Sequence, residues 1–95
     1  MTEPGVVAAR LQLKLETAFQ PTELIIQDES ARHAGHSGAR EGGESHFRVR
    51  IVSTAFSGLS RVERQRRVYH AVAEEIAGGV HALALTTLTP QEASS

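Results

Sequence analysis

An α+β domain is predicted from three features of the chain. Helical and strand patterns follow one another in the order α-β-β-α-β-α. His46 to Ser53 alternates apolar and basic residues with the period of two that a half-buried strand requires. A helix rich in arginine then ends at Gly78-Gly79, ahead of an apolar strand from Val80 to Leu88. A strand–helix–strand crossover makes the last two strands parallel, and the directly joined first two antiparallel. The result is a three-stranded mixed sheet with helices on one face.

Taken in order, residues 5–19 read as an amphipathic helix. Ala8, Leu11, Leu15 and Ala18 recur at helical spacing, and Phe19 followed by Pro21 marks the end. Leu24-Ile25-Ile26 is a short strand. Residues 29–45 contain four glycines and no apolar periodicity, so they read as a loop, long for a small domain. In the strand from His46, the side chains of Phe47, Val49 and Ile51 face the core, and His46, Arg48 and Arg50 form a wet, basic face. Ser60 and Glu63 have capping-box spacing for the next helix, which runs to about Ala77. Val62, Tyr69, Val72, Ala73 and Ile76 make its expected buried stripe, with Arg64 and Arg67 on the opposite side. Thr89-Pro90-Gln91-Glu92 begins a short terminal helix with proline at its first position, leaving a tail at 93–95.

With 95 residues, the chain makes a single domain, residues 1–95, with one modest core, and 4% aromatic content makes that core aliphatic. No apolar run approaches the roughly 20 residues needed to span a bilayer. No basic region precedes an apolar stretch at the N-terminus, so no signal peptide is expected. A cytoplasmic protein without membrane contact, monomeric or weakly homodimeric, is the expectation. The absence of cysteine removes disulfides, a thiol nucleophile and any thiolate site built by this chain alone. No nucleophile elbow or phosphate loop is present, so the chain does not read as an enzyme.

The net charge of −1 conceals an asymmetry. Met1 to Ser30 holds five acidic and two basic residues, whereas His46 to His70 holds six arginines and one glutamate. Arginine suits bidentate contact with phosphate or carboxylate. Arg61, Arg64, Arg66 and Arg67 at the start of the helix, with Arg48 and Arg50 on the strand, are therefore candidate nucleic-acid contacts, although the same pattern also describes a solvated face. Glu63 is placed to neutralise Arg67 at i, i+4, and His70 to pair with Glu74. Three further histidines carry potential chemistry. His33 and His36 form a His-x-x-His pair in the loop, and two imidazoles rarely suffice for a metal alone. On spacing alone, His81 reads as a cation at the end of the preceding helix. His46 reads as structural.

Gly43-Glu44-Ser45-His46-Phe47-Arg48-Val49 and Val80-His81-Ala82-Leu83-Ala84-Leu85-Thr86, with the basic stretch Ser60 to His70 between them, resemble the BolA family. The resemblance runs from about Ala9 to Glu92 and implies a class II KH-like arrangement of the elements predicted above. It implies an iron–sulfur adaptor that partners a monothiol glutaredoxin around a bridging 2Fe–2S cluster, with glutathione supplied by the partner. His81 would then be a ligand, joined by a loop histidine, His33 first and His36 second. Replacing thiolates by imidazoles lowers the cluster's negative charge, as in Rieske centres. Members of the family also imply an alternative, a DNA-binding transcriptional regulator using the arginine-rich helix.

Overall fold

A computed structural model of the chain describes residues 5–29 and 46–95. Within them the order is α1 (Val6–Phe19), β1 (Glu23–Asp28), β2 (His46–Val52), a 3-10 turn (Thr54–Phe56), α2 (Arg61–Ala71), α3 (Ala73–Ala77), β3 (Ala82–Leu88) and α4 (Pro90–Ala93). The strands lie in the order β1-β2-β3, with β1 antiparallel to β2 and β2 parallel to β3. The expected small α+β domain with a three-stranded mixed sheet is therefore present.

Alternation along the strands separates two faces. The register aligns Leu24 with Ile51, Ile26 with Val49, Phe47 with Leu83 and Val49 with Leu85, so these side chains share one face. Phe47, Val49 and Ile51 are buried there against Leu11, Leu15 and Phe19 of α1 and Val68 and Val72 from the α2–α3 region. Glu23, Ile25, His46, Arg48, Ala82 and Ala84 fall on the other face. A 3-10 turn that the sequence pattern did not suggest completes the core. Its Phe56 is fully buried, with its ring 5.1 Å from that of Phe19. Buried Ser53 fixes this corner: its Oγ donates to the Phe19 carbonyl at 2.7 Å and accepts from the Ala55 N–H at 3.0 Å.

Several expectations are corrected. In α1 the buried line is Leu11, Leu15 and Phe19, spaced by four, so Ala18 is exposed. In the second helical region the buried line is Val68, Val72 and Glu75. Val62 is 61% exposed, Tyr69 is 40% exposed and Ala73 is exposed. The phase differs because the line continues back to Arg64, whose long side chain packs inward instead of facing solvent. The helix also breaks at Val72 (φ −112°, ψ 25°), leaving α2 and α3 as separate segments. β1 extends beyond Leu24–Ile26 at both ends, and β3 begins at Ala82, not Val80. Gly79 at φ 133° makes the reversal from α3 into β3, a conformation that a side chain would strain. Ser60 Oγ accepts from the Glu63 N–H at 3.1 Å, but the Glu63 carboxylate turns to Arg66 and Arg67. The complete capping box is at α4, where Thr89 and Glu92 bond reciprocally at 3.2 and 2.9 Å. Glu74 pairs not with His70 but with Lys14 of α1, at 2.6 Å. The same ammonium reaches Glu75, whose side chain is only 4% exposed, at 3.3 Å, and so pins α3 to α1.

One polar atom on the core face of β3 lacks a partner among the described residues: the buried Thr87 Oγ1. A buried hydroxyl without a hydrogen bond costs about 1–3 kcal/mol, and valine has nearly the same shape. Thr87→Val should therefore raise the midpoint of urea unfolding with an unchanged slope. A lowered midpoint would show that the hydroxyl is satisfied.

Candidate functional site

The topology gathers chemistry at one end of the sheet. β1 finishes at Asp28 where β2 begins at His46, and β3 enters beside it, with Ala82 in register with His46. The Glu29 N–H donates to the His46 carbonyl at 2.8 Å, so the chain leaves for residues 30–45 and returns at this end. His81 immediately precedes β3 and is exposed. Its ring lies 6.4 Å from that of His46, centroid to centroid, with the planes tilted by 46°. His81 was expected here as a candidate ligand. His46, read from sequence as structural, stands beside it. The signal that could have found it was topological: parallel neighbours begin at the same end, so the residues that open them meet. His33 and His36 lie outside the described residues.

Two adjacent imidazoles suit iron, zinc or copper when neutral. Among the described residues no group of three or more His, Cys, Asp or Glu converges on a metal position. The His46–His81 pair would supply at most two of the ligands a metal needs. Two imidazoles match the share that a Rieske-type cluster takes from histidine, with two thiolates supplied from elsewhere.

The expected wet basic face is present, but its arginines pair with acids at the two ends of β1, Glu23 within it and Glu29 just beyond it. Arg48 donates through Nε and Nη2 to the two Glu29 carboxylate oxygens at 3.1 and 3.3 Å, and this hydrogen-bonded pairing holds the guanidinium pKa above its ordinary value. Arg50 Nε donates to Glu23 Oε1 at 3.2 Å. In the antiparallel register these acids lie diagonal to the arginines, two residues from their direct partners Gln27 and Ile25.

The helical arginines divide sharply. Arg64 has a side chain only 11% exposed. Its Nε donates to the Leu59 carbonyl at 3.0 Å, and its Nη1 to the Thr87 carbonyl at 3.0 Å and Glu92 Oε1 at 2.7 Å. Nη2 reaches Glu92 Oε2 at 3.2 Å. These bonds spend its donors internally, tying α2, β3 and α4 together, so its expected place on an outward face is not what the fold gives it. Arg61, Arg66 and Arg67 are exposed. Glu63 stands 3.6 Å from Arg66 and, as expected, 3.5 Å from Arg67.

The Arg64 hydrogen bond, aided by the Thr89 N–H, lowers the Glu92 pKa from 4.5 to about 2. The Lys14 hydrogen bond lowers that of Glu74 in the same sense. A depressed folded-state pKa contributes stability above the ordinary carboxylate range, and that contribution is lost as pH falls through the folded value. For Glu92 the window runs from about pH 4.5 down to about 2. Glu92→Gln should flatten the dependence of thermal midpoint on pH in that window. An unaltered slope would show that the pair is not linked to folding.

The described residues thus form a small α+β domain with two neighbouring imidazoles at one sheet end and exposed arginines on a helix. A model of the BolA-like protein family matches residues 15–92, and the chain belongs to that family. It is 46% identical over 90 residues to "Protein BOLA1, chloroplastic" of Arabidopsis thaliana, covering 93% of this chain and 56% of that protein. It is 44% identical over 87 residues to "DNA-binding transcriptional regulator BolA" of Escherichia coli, covering 92% of this chain and 79% of that protein. The solved BolA domain of SufE1 from Arabidopsis thaliana superposes with a TM-score of 0.82 at 43% identity, covering 93% of this chain and 96% of that one. The chain spans 25–61% of the length of three curated relatives it matches. The relatives include proteins named BolA-like protein 1 and one named a DNA-binding transcriptional regulator. Family membership fixes no compartment, since relatives carry organelle names. Among the described residues no helix is long and apolar enough to cross a membrane.

Proposed function

We propose that this BolA-like protein is an adaptor that shares a 2Fe–2S cluster with a monothiol glutaredoxin. The observation that carries this reading is the pair of imidazoles, His46 and His81, meeting at the sheet end where residues 30–45 are rooted. The cluster is cargo held between two proteins. His81 supplies one imidazole. The second comes from His46, or from His33 or His36 in the adjoining segment. The partner and its glutathione supply the thiolates that a chain without cysteine cannot.

His81 is well placed for such a role. Gly79 turns the chain so that Val80 is buried while the next residue is exposed, so an anchored backbone presents a solvent-accessible ring. The flat Ala82 and Ala84 positions beside it leave room for a partner surface. Mixing the chain with cluster-loaded monothiol glutaredoxin should change the visible circular dichroism of the cluster. The isolated chain, reconstituted anaerobically, should hold no persistent 2Fe–2S spectrum. A stoichiometric, lasting spectrum from the chain alone, without added thiol, would contradict a shared site.

A second reading, DNA binding, is favoured by the exposure of Arg61, Arg66 and Arg67 and by the name of the Escherichia coli relative. It uses a surface other than the imidazole pair, so both activities can reside in one domain.

A further inference from the structure

We propose that the groove between the last turn of α1 and the outward side of α2 binds a phosphorylated nucleoside. Apolar Ala18, Phe19 and Ala71 line it together with Glu63, Arg66, Arg67 and His70. The groove is open to solvent, with a volume of about 630 Å³.

The charge arrangement selects an anion. Arg48, Arg50 and Arg64 each hydrogen-bond a carboxylate at 2.7–3.3 Å. Arg66 and Arg67 instead share one carboxylate, Glu63, at 3.6 and 3.5 Å. Those separations exceed the roughly 2.7–3.2 Å of an N–H···O hydrogen bond, so Glu63 offsets charge without occupying the donors. Two forked guanidinium groups against one loosely held carboxylate leave a positive surplus in the groove. A phosphomonoester, at about −1.5 to −2 charge, competes with a single carboxylate for both forks.

The apolar lining selects the rest of the ligand. A free inorganic anion gains nothing from the exposed Ala18 and half-buried Ala71, whereas a planar base can cover them. A phosphodiester in a strand carries only one charge per phosphate and is held at both ends by its neighbours. The free monoester is therefore the better match. This site shares Arg66 and Arg67 with the DNA reading but contains no residue of the imidazole pair.

The test is a titration of the ¹⁵N-labelled full chain, read by amide chemical shifts. Adenosine monophosphate should give saturable shifts at Phe19, Arg67 and Ala71. Adenosine and inorganic phosphate should each bind at least about tenfold more weakly, since each makes only half of the contacts. Arg66→Gln with Arg67→Gln should weaken the nucleotide at least about tenfold, as expected for loss of charge-assisted forks. Glu63→Gln should tighten it, because the competing carboxylate is gone while the backbone cap to Ser60 remains. Arg48→Gln and Arg50→Gln should leave it unchanged. Three results would overturn the proposal. One is no saturable shift with the nucleotide. Another is an equal response to phosphate alone. The third is an oligothymidylate without terminal phosphate saturating the groove at lower concentration than the monophosphate. Should the double arginine variant fail to fold, the Glu63→Gln result decides by its sign.

Discussion

Replacing His81 by alanine is expected to abolish the visible circular dichroism that distinguishes the heterocomplex from glutaredoxin alone. Loss of a partner that merely orients a ligand costs roughly 10–100-fold in metal affinity, and loss of the ligand itself costs more. His81 is exposed and lies just outside β3, so its truncation removes no core contact, and far-UV circular dichroism should be unchanged. His46→Ala is expected to have the next largest effect, because its ring is the described imidazole that lies beside His81. It opens β2 and is half-buried, so this variant needs the same check of folding. His33→Ala and His36→Ala locate the second imidazole. If His46→Ala is silent while His33→Ala alters the spectrum, the second donor comes from the segment between Glu29 and His46. His70→Ala, on exposed α2, should do nothing to the spectrum. Unchanged spectra and cluster lifetimes for all four of His81, His46, His33 and His36 would refute histidine ligation and leave protein–protein recognition alone.

The strand from His46 was legible because two-residue alternation is a direct imprint of a sheet with one buried face. Phe47, Val49 and Ile51 are all buried in the structure. The parallel pairing of β2 and β3 followed from connectivity, since a helix between two strands leaves the crossover little freedom. The phase of α2 was not legible. Val62 and Tyr69 are apolar enough to suggest a buried stripe, yet the true line passes through Arg64, Val68 and Val72. An arginine on a buried line contradicts hydrophobic patterning unless its partners are known, and two of them, Thr87 and Glu92, lie over twenty residues away. The corner at Ser53 and Phe56 was hidden for the same reason, because its meaning depends on the Phe19 carbonyl and ring brought from α1. The His46–His81 pair is a tertiary fact of this kind. Each histidine was visible in its own motif, but their proximity depends on register.

Arg64→Ala should be the most destabilising of the arginine substitutions and should unfold α4 from β3. The side chain is nearly buried and donates to the Leu59 and Thr87 carbonyls as well as to Glu92, so its removal orphans acceptors on two elements at once. A hydrogen bond to a charged group contributes about 1.5–3 kcal/mol, so the two carbonyls alone put the loss at about 3–6 kcal/mol. In a domain of this size 1 kcal/mol moves the thermal midpoint by about 4–8 °C, so a fall of about 10 °C or more is expected. Arg64→Lys should recover only part of it, because one ammonium cannot span a fork of three acceptors. Arg67→Ala, by contrast, removes an exposed side chain whose ion pair is long, and its thermal midpoint should stay near that of the unmodified chain. The same pair of variants separates fold from function in the DNA reading. Arg67→Ala should weaken binding to all sequences alike and make it less salt-dependent, since one phosphate contact is gone. Arg64→Ala should weaken binding only to the extent that it unfolds the domain. An Arg64→Ala protein with an unchanged thermal midpoint but reduced DNA affinity would show that the guanidinium leaves its internal acceptors for phosphate, and the anchoring role assigned to it here would be wrong.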